Sequence, residues 1–341
     1  MFVLFYVCGS LFIFFLAAKG TLIFSKTDLF FMAECLQTCI LMLHACGKVI
    51  NLYVHKERVL KLLEMYSKFW KLDNFAGSVK DECVNLYTSI RTFVHRYFCI
   101  SVVCIFFFVF KPPACYIPEG WQMHISIFYG FLFYGLALAV VATDGLFCLL
   151  GTAIIVQFKL LGYKFRNIDL FSRTTTNKSK KEEMWKKLRT LVDHHNFLYT
   201  YCKLTNRVFS GPFFIQFLAS NGSAAISTFI LTQGGSWNNT LKFILFCIIL
   251  ISQTVFYCLP AEFIGNAIEQ ITSDVYESKW CDSDIIQFKK CLVIILTKTQ
   301  KLVTFSAYGL VFINLKTLIV ISKTAFSFYT YLSSVKKIKV N

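Results

Sequence analysis

Long uncharged apolar runs alternate with polar segments along the 341-residue chain. A membrane-spanning helix needs about 20 mostly apolar residues, because the hydrocarbon core of a bilayer is about 30 Å thick. Seven stretches meet or approach this requirement, and their approximate bounds are 2–18, 29–54, 92–110, 122–157, 208–231, 242–261 and 307–332. The pattern therefore predicts an all-α polytopic membrane protein, with a single transmembrane domain over residues 1–341 and seven transmembrane helices.

The seven predicted spans differ in strength. The second is interrupted by Glu34, His44 and Lys48, whereas the run 120–143 carries no charge. The first run has an alternative interpretation as a signal peptide, because Ala17-Ala18 is similar to a small-residue cleavage site. No basic residue precedes that run, which favours a transmembrane span.

The polar segments between the spans differ sharply in basic charge. The segments 55–96, 159–207 and 263–301 together carry 25 Lys and Arg, against 3 in the connections on the other side. Because short basic loops stay in the cytoplasm, this asymmetry places the three segments there. With seven spans, the amino terminus is then predicted to be cytoplasmic and the carboxyl terminus extracellular.

Composition agrees with a membrane protein. Hydrophobic residues make up 56% of the chain and charged residues 16%, whereas a soluble domain carries about 25% charged residues. The formal charge of +16 would indicate nucleic-acid binding in a soluble protein, but here the basic residues mark cytoplasmic loops, so no nucleic-acid partner is predicted. The 14 Cys lie mostly in apolar runs, and no Cys or His spacing suits a metal.

Motifs for catalysis are missing from the sequence. His194-His195 is the only His pair, and neither a phosphate-binding glycine loop nor a nucleophile elbow occurs. We therefore predict no enzyme activity and no cofactor. A rhodopsin-type receptor is also disfavoured, because it has the opposite orientation and its Asp-Arg-Tyr and Asn-Pro-x-x-Tyr motifs are not found.

Ionisable residues inside predicted spans are costly and indicate function by default. Asp144 ends an uncharged run and is either an interfacial residue or a structural polar contact. Lys316 and Lys323 lie seven residues apart, so they share roughly one helical face. They are predicted to face protein or water, with snorkelling to an interface as the alternative.

Aromatic residues crowd the outer halves of the spans. They more often pack against lipid or neighbouring helices, but an apolar pocket with a few polar tips would bind a small volatile molecule. The candidate pocket residues are Phe106, Phe107, Tyr129, Phe133, Tyr134 and Phe246. A predicted outer loop, 233–240, also holds a glycosylation sequon at Asn238.

Short motifs in the last third of the chain resemble those of the insect odorant receptor family, a seven-transmembrane family with inverted topology. Tyr276, Ser278 and Trp280 are similar to its Tyr-x-Ser-x-Trp element, and 297–301 is similar to its Arg-Ser-Gln-Lys run. The segment 326–332 resembles its terminal Ser-Tyr-Ser-Tyr-Phe-Thr-Leu-Leu. The similarity is strongest over 256–332.

The resemblance implies the tuning subunit of a ligand-gated cation channel in the plasma membrane of olfactory neuron dendrites, assembled with a common co-receptor as a heterotetramer. A volatile ligand would bind among spans two, three, four and six. The last helix would line the pore, with the pore and gate residues Lys316, Leu318, Ile319, Ile321 and Lys323. The cytoplasmic segment 263–301 would anchor subunits to one another, with Tyr276, Trp280 and Gln300 as its anchor residues.

Two alternatives stay open. An insect gustatory receptor shares the architecture, but its terminal motif ends in Gln-Phe, which does not follow Thr330-Tyr331 here. A secondary transporter belongs to a different class, and the sequence lacks the internal repeat that many such transporters show.

Overall fold

The fold of the chain is almost entirely helical in a computed structural model, which describes residues 2–24, 28–109, 115–118, 120–168, 178–233, 237–278, 286–300 and 303–340. The helices, in chain order, are α1 (Phe2–Phe24), α2 (Leu29–Val54), α3 (Lys56–Tyr66), α4 (Ser78–Val109), α5 (Gln122–Arg166), α6 (Lys178–Gln233), α7 (Trp237–Glu277), α8 (Ile286–Thr299) and α9 (Leu315–Val340).

Five of the described helices are long and apolar enough to cross a membrane. They are α1, α2, α5, α6 and α7. The remaining two predicted spans, 92–110 and 307–332, correspond to α4 and α9. The all-α polytopic fold predicted from the hydropathy pattern is therefore confirmed.

Helices α6 and α7 run far beyond the spans predicted from hydropathy. The predicted span 208–231 is the last part of α6, which contains Pro212, and 242–261 continues through Pro260 to the end of α7. An apolar run ends where the side chains leave the membrane. The helix can continue into water as long as its backbone hydrogen bonds are kept and one of its faces packs against the protein. The predicted outer loop 233–240 was wrong in its second half for the same reason, because α7 begins at Trp237.

Helix α5 lies at the centre of the bundle and packs against α1, α2, α4, α6 and α7. The larger apolar core joins the carboxyl-terminal parts of α5 and α7 and the amino-terminal half of α6 to α3 and α8, with buried side chains such as Leu62, Phe158, Leu191, Ile268 and Phe288. A second core lies between α1, α2 and α5 around Met42, Leu132 and Leu136. The long helices are thus clamped together on the side where the sequence places the basic loops.

A short hairpin, whose strands are two residues each, precedes α9. Strands β1 (Ser306–Ala307) and β2 (Val311–Phe312) pair antiparallel, with Ser306 opposite Phe312. In its turn, Tyr308 has φ 52° and Gly309 has φ 75°, which matches the tight turns that join twisted strands. The last helix therefore begins at Leu315 rather than near Ala307, because an uncharged hairpin and an uncharged helix look alike in hydropathy.

The hairpin is fastened to α6. The backbone N–H of Ser306 donates to Asn206 Oδ1 at 2.9 Å, and Ser210 Oγ donates to the Ser306 carbonyl at 2.9 Å. The start of α9 is therefore coupled to the middle of the bundle and not only to its own neighbours in sequence.

Candidate ligand site and its polar floor

An internal cavity of about 140 Å³ lies between α2, α4, α5 and α7. Its walls are mostly apolar, as is usual for a small-molecule site. The apolar lining includes Met42, Ile100, Phe133, Leu136, Val140 and Ile249.

An ion pair lies next to this cavity, deep in the bundle. Lys48 of α2 and Asp144 of α5 are both fully buried, and Lys48 Nζ lies 2.7 Å from Asp144 Oδ1. Lys48 Nζ also donates to Gln216 Oε1 of α6 at 2.9 Å. Two opposite charges can be tolerated in such a dry environment only when each is paired and hydrogen-bonded.

Two tyrosines complete the shell of Asp144. Tyr257 OH of α7 donates to Asp144 Oδ1 at 2.5 Å, and Tyr97 OH of α4 donates to Oδ2 at 3.2 Å. Hydrogen bonds to an ionised group are stronger than those between neutral groups. The carboxylate thereby ties α2, α4 and α7 to α5, and Tyr97 also lines the cavity.

Gln216 extends this polar layer toward α7 and back to the cavity. Its Nε2 donates to Ser220 Oγ at 3.2 Å and to the Leu250 carbonyl at 3.1 Å. Its Oε1 lies 2.6 Å from His44 Nε2, and His44 is itself a lining residue. The cavity therefore has apolar walls and a polar floor. Residues of α2, α4, α5, α6 and α7 contribute to this floor.

The structure decides between the two interpretations of Asp144. The carboxylate is a structural polar contact and not an interfacial group, because it is fully buried and paired. Sequence reasoning did not identify Lys48 as the partner of Asp144, nor His44 and Gln216 as the residues that extend this polar layer. Lys48 and His44 were visible as ionisable residues in an apolar run, and such residues require partners.

The predicted pocket aromatics fall into different environments. Phe133 lines the cavity. Tyr129 is buried one turn away and stacks on Phe133, with ring centroids 5.6 Å apart. Tyr134 is 49% exposed and is not among the lining residues. Phe106 and Phe107 belong to α4 and Phe246 to α7, but their side chains lie outside the described part of the structure.

The predicted pore residues lie on two faces of α9. Lys316, Ile319 and Lys323 are exposed on the surface of the chain, Leu318 is half-buried, and Ile321 is buried. Lys316 borders a surface groove that also contains Glu262 and Glu269. The exposed side chains of α9 are available to water or to another subunit.

Two of the predicted anchor residues lie at the carboxyl-terminal ends of α7 and α8. Tyr276 is 67% exposed and Gln300 is also exposed, whereas Trp280 lies outside the described residues. Asn238 belongs to the first turn of α7, and its side chain is not described.

The fold and the cavity define a polytopic helical membrane protein with an internal site of small-molecule size. Residues 28–326 match the family model described as 7tm Odorant receptor. Because this match covers most of the chain, the protein belongs to the 7tm odorant receptor family.

Curated relatives include two receptors of Drosophila melanogaster. Odorant receptor 85b is 26% identical over 231 residues, which are 65% of this chain and 56% of the relative. Odorant receptor 42b is 28% identical over 161 residues, which are 46% of this chain and 39% of the relative. The chain thus spans about half the length of the curated relatives that it matches.

Solved structures show the same fold. The insect olfactory receptor OR5 from Machilis hrabei aligns with a TM-score of 0.82 at 15% identity, covering 97% of this chain and 88% of that chain. The same receptor in complex with eugenol aligns with a TM-score of 0.82 at 14% identity, with the same coverage. At this identity the likeness concerns the fold.

Proposed function

We propose that the chain is an odorant receptor that binds small volatile organic molecules in the cavity between α2, α4, α5 and α7. The observation that carries this proposal is a mostly apolar cavity within a helical bundle of the odorant receptor family. A structure of the same fold was determined in complex with eugenol, which supports a small organic ligand for this chain as well.

The size of the cavity limits the ligand. A cavity of about 140 Å³ is close to the roughly 150 Å³ cavity that binds benzene in an engineered protein. Ligands of about six to eight heavy atoms therefore fit without rearrangement. Larger odorants require the lining side chains to move.

Ligand binding opens a cation channel in this proposal, because the ligand contacts the open arrangement better than the closed one. Aromatic contacts lead from the polar floor toward α9. Phe147 stacks on Tyr257 with centroids 5.3 Å apart and meets the ring of Phe305 edge-on at 6.0 Å, just before β1. A shift of Tyr257 would thus reach the hairpin and the start of α9.

Helix α9 lines the pore in the assembled channel. Its exposed face with Lys316, Ile319 and Lys323 faces the pore, and a hydrophobic constriction near 318–321 widens and wets on opening. Ile321 is buried within the chain, so it supports the constriction from behind.

The channel is a heterotetramer of this tuning subunit with a common co-receptor in the plasma membrane of olfactory neuron dendrites. The amino terminus is cytoplasmic and the carboxyl terminus extracellular, as the distribution of basic residues indicates. The segment 263–301 joins the subunits, and Asn238 is a glycosylation site on the outer side.

The test is electrical recording from cells that express the full chain with and without a co-receptor, during exposure to a broad panel of volatiles. We expect odour-evoked cation currents only with both subunits. Lys316→Thr removes a positive charge from the proposed pore face and should raise cation conductance. Surface expression without any response would contradict the proposal, and ligand uptake without a co-receptor would favour a transporter.

A further inference from the structure

We infer that the cavity selects ligands that carry a hydroxyl group, which donates a hydrogen bond to His44 Nδ1. This inference rests on the proposed odorant-binding function and specifies its ligand class. It depends on the hydrogen-bond roles that the polar floor imposes on His44.

The hydrogen-bond roles follow from Lys48. An ammonium group can only donate, so the Gln216 atom at 2.9 Å from Lys48 Nζ must be the accepting oxygen. The same oxygen lies 2.6 Å from His44 Nε2. Since it cannot donate, Nε2 must carry the proton of that contact.

The imidazole of His44 is therefore fixed in one tautomer. A second positive charge beside the Lys48 ammonium would be costly inside a bilayer, so the ring is neutral. A neutral imidazole has one N–H and one bare nitrogen. With Nε2 as the donor, Nδ1 is left as a hydrogen-bond acceptor.

This acceptor is buried and has no hydrogen-bond partner among the described residues. His44 is 2% exposed and lines the cavity. Gln253 Oε1, from a second lining residue, is likewise buried without a described partner. Both atoms accept hydrogen bonds and belong to residues that line the cavity, so a ligand that supplies a donor would satisfy them.

A buried acceptor without a partner is costly, and a ligand that satisfies it gains that free energy. An alcohol or phenol supplies the O–H, whereas an ether, ester or ketone of the same shape supplies only further acceptors. One neutral hydrogen bond of this kind corresponds to roughly tenfold in affinity. The cavity should therefore prefer a small alcohol over its isomeric ether by about that factor.

Two pairs of isomers test this preference at constant size. The probes are 1-hexanol against methyl pentyl ether, and p-cresol against anisole. Affinity is measured on the purified full chain, as the ligand concentration needed for a given rise in the melting temperature. A ligand that binds only the folded state stabilises that state. This readout does not require channel opening.

The matched variants are His44→Phe and His124→Phe. In His44→Phe the ring shape is kept, Nδ1 is lost, and Gln216 Oε1 keeps its contact with Lys48. His124 is exposed near the start of α5 and does not line the cavity. Should His44→Phe fail to fold, Gln253→Met removes the second acceptor, and the isomer pairs decide the matter on the unaltered chain.

We expect the unaltered chain and His124→Phe to bind the alcohols about tenfold more tightly than the ethers, and His44→Phe to bind both within about twofold. Equal binding of the isomers by the unaltered chain, or a preference that survives in His44→Phe, would overturn the assignment of His44. Isomer discrimination without any evoked current would support the site while contradicting the channel function. If none of the probes shifts the melting temperature, the inference fails.

Discussion

Lys48 and Asp144 come from α2 and α5 and meet where water does not reach, so the charge of each depends on the other. Removing one partner of such a pair leaves an uncompensated charge, which typically costs about 3–5 kcal/mol. Removing both can be nearly neutral, because the desolvation cost of the two charges disappears along with their attraction.

We therefore predict that Lys48→Met destabilises the purified chain by about 3–5 kcal/mol, and that Lys48→Met with Asp144→Leu recovers part of that loss. Melting temperatures measured in the same detergent rank the stabilities of the variants. A matched control is Lys187→Met, which removes an exposed ion pair with Glu183 and should cost less than about 1 kcal/mol. A double variant that is less stable than both single variants would argue against a mutually compensated pair.

The sequence predicted that Asp144 matters but not which residues it contacts. Lys48 is 96 positions away, and Gln216, which contacts Lys48 rather than Asp144, carries no charge to draw attention to it. Their meeting depends on the rotation and height of α2, α5 and α6 relative to one another, which hydropathy does not encode. The aromatic candidates show the same limit, because Phe133 and Tyr134 are adjacent in sequence yet one lines the cavity and the other is exposed.

At the scale of elements, the carboxyl-terminal part of α5 approaches α7 closely because α5 has a glycine there. A Cβ on Gly162 would lie 1.7 Å from Asp274 Oδ2, and Asp274 Oδ1 pairs with Arg166 Nη2 at 2.7 Å. Burial raises the pKa of the Asp274 carboxyl, while the contacts from Gln270 and Arg166 oppose that rise. Displacing Asp274 would weaken the contacts that keep it charged.

Gly162→Ala should accordingly destabilise the chain by about 1–3 kcal/mol through overpacking. Gly265→Ala is the matched control in α7, because a Cβ there meets nothing within 4 Å. It should stabilise its helix by roughly 0.5–1 kcal/mol. Thermal unfolding of the two variants in parallel measures the contrast, and equal melting temperatures would show that α5 and α7 can move apart without cost.

The sequence predicted the presence of the helices better than it predicted where they begin and end. Every predicted span overlaps a helix, since apolar runs in lipid leave few alternatives. The ends of the helices differ from the ends of the predicted spans where a helix continues beyond its apolar run, or where part of the apolar run is not helical. Helix α6 begins at Lys178, in a polar segment, and the uncharged run from Ala307 opens as a hairpin because Tyr308 and Gly309 adopt positive φ.

On the scale of the whole molecule, helix α8 presents apolar side chains on two sides. Phe288 and Leu292 of α8 are buried in the core, whereas Ile286, Val293 and Ile294 are exposed. Exposed apolar side chains that lie together on a surface mark contact sites with other proteins. The helix belongs to the segment 263–301, which is the proposed anchor between subunits, so the outward face of α8 is expected to meet a neighbouring subunit.

Ile294→Asp places a charge on this face, where the exposed fraction of Ile294 is 61%. Burying a charge at an interface without a partner is costly, so we expect co-purification with a tagged co-receptor to fall about tenfold, the loss typical of a central interface residue. Thr190→Asp, at an exposed position on α6, controls for an added charge away from the outward face of α8 and should leave co-purification within about twofold. The melting temperature of the isolated chain should stay the same in both variants, because neither position is buried. Full recovery of the complex with Ile294→Asp would remove α8 from the interface and would leave the subunit contacts to other parts of the chain.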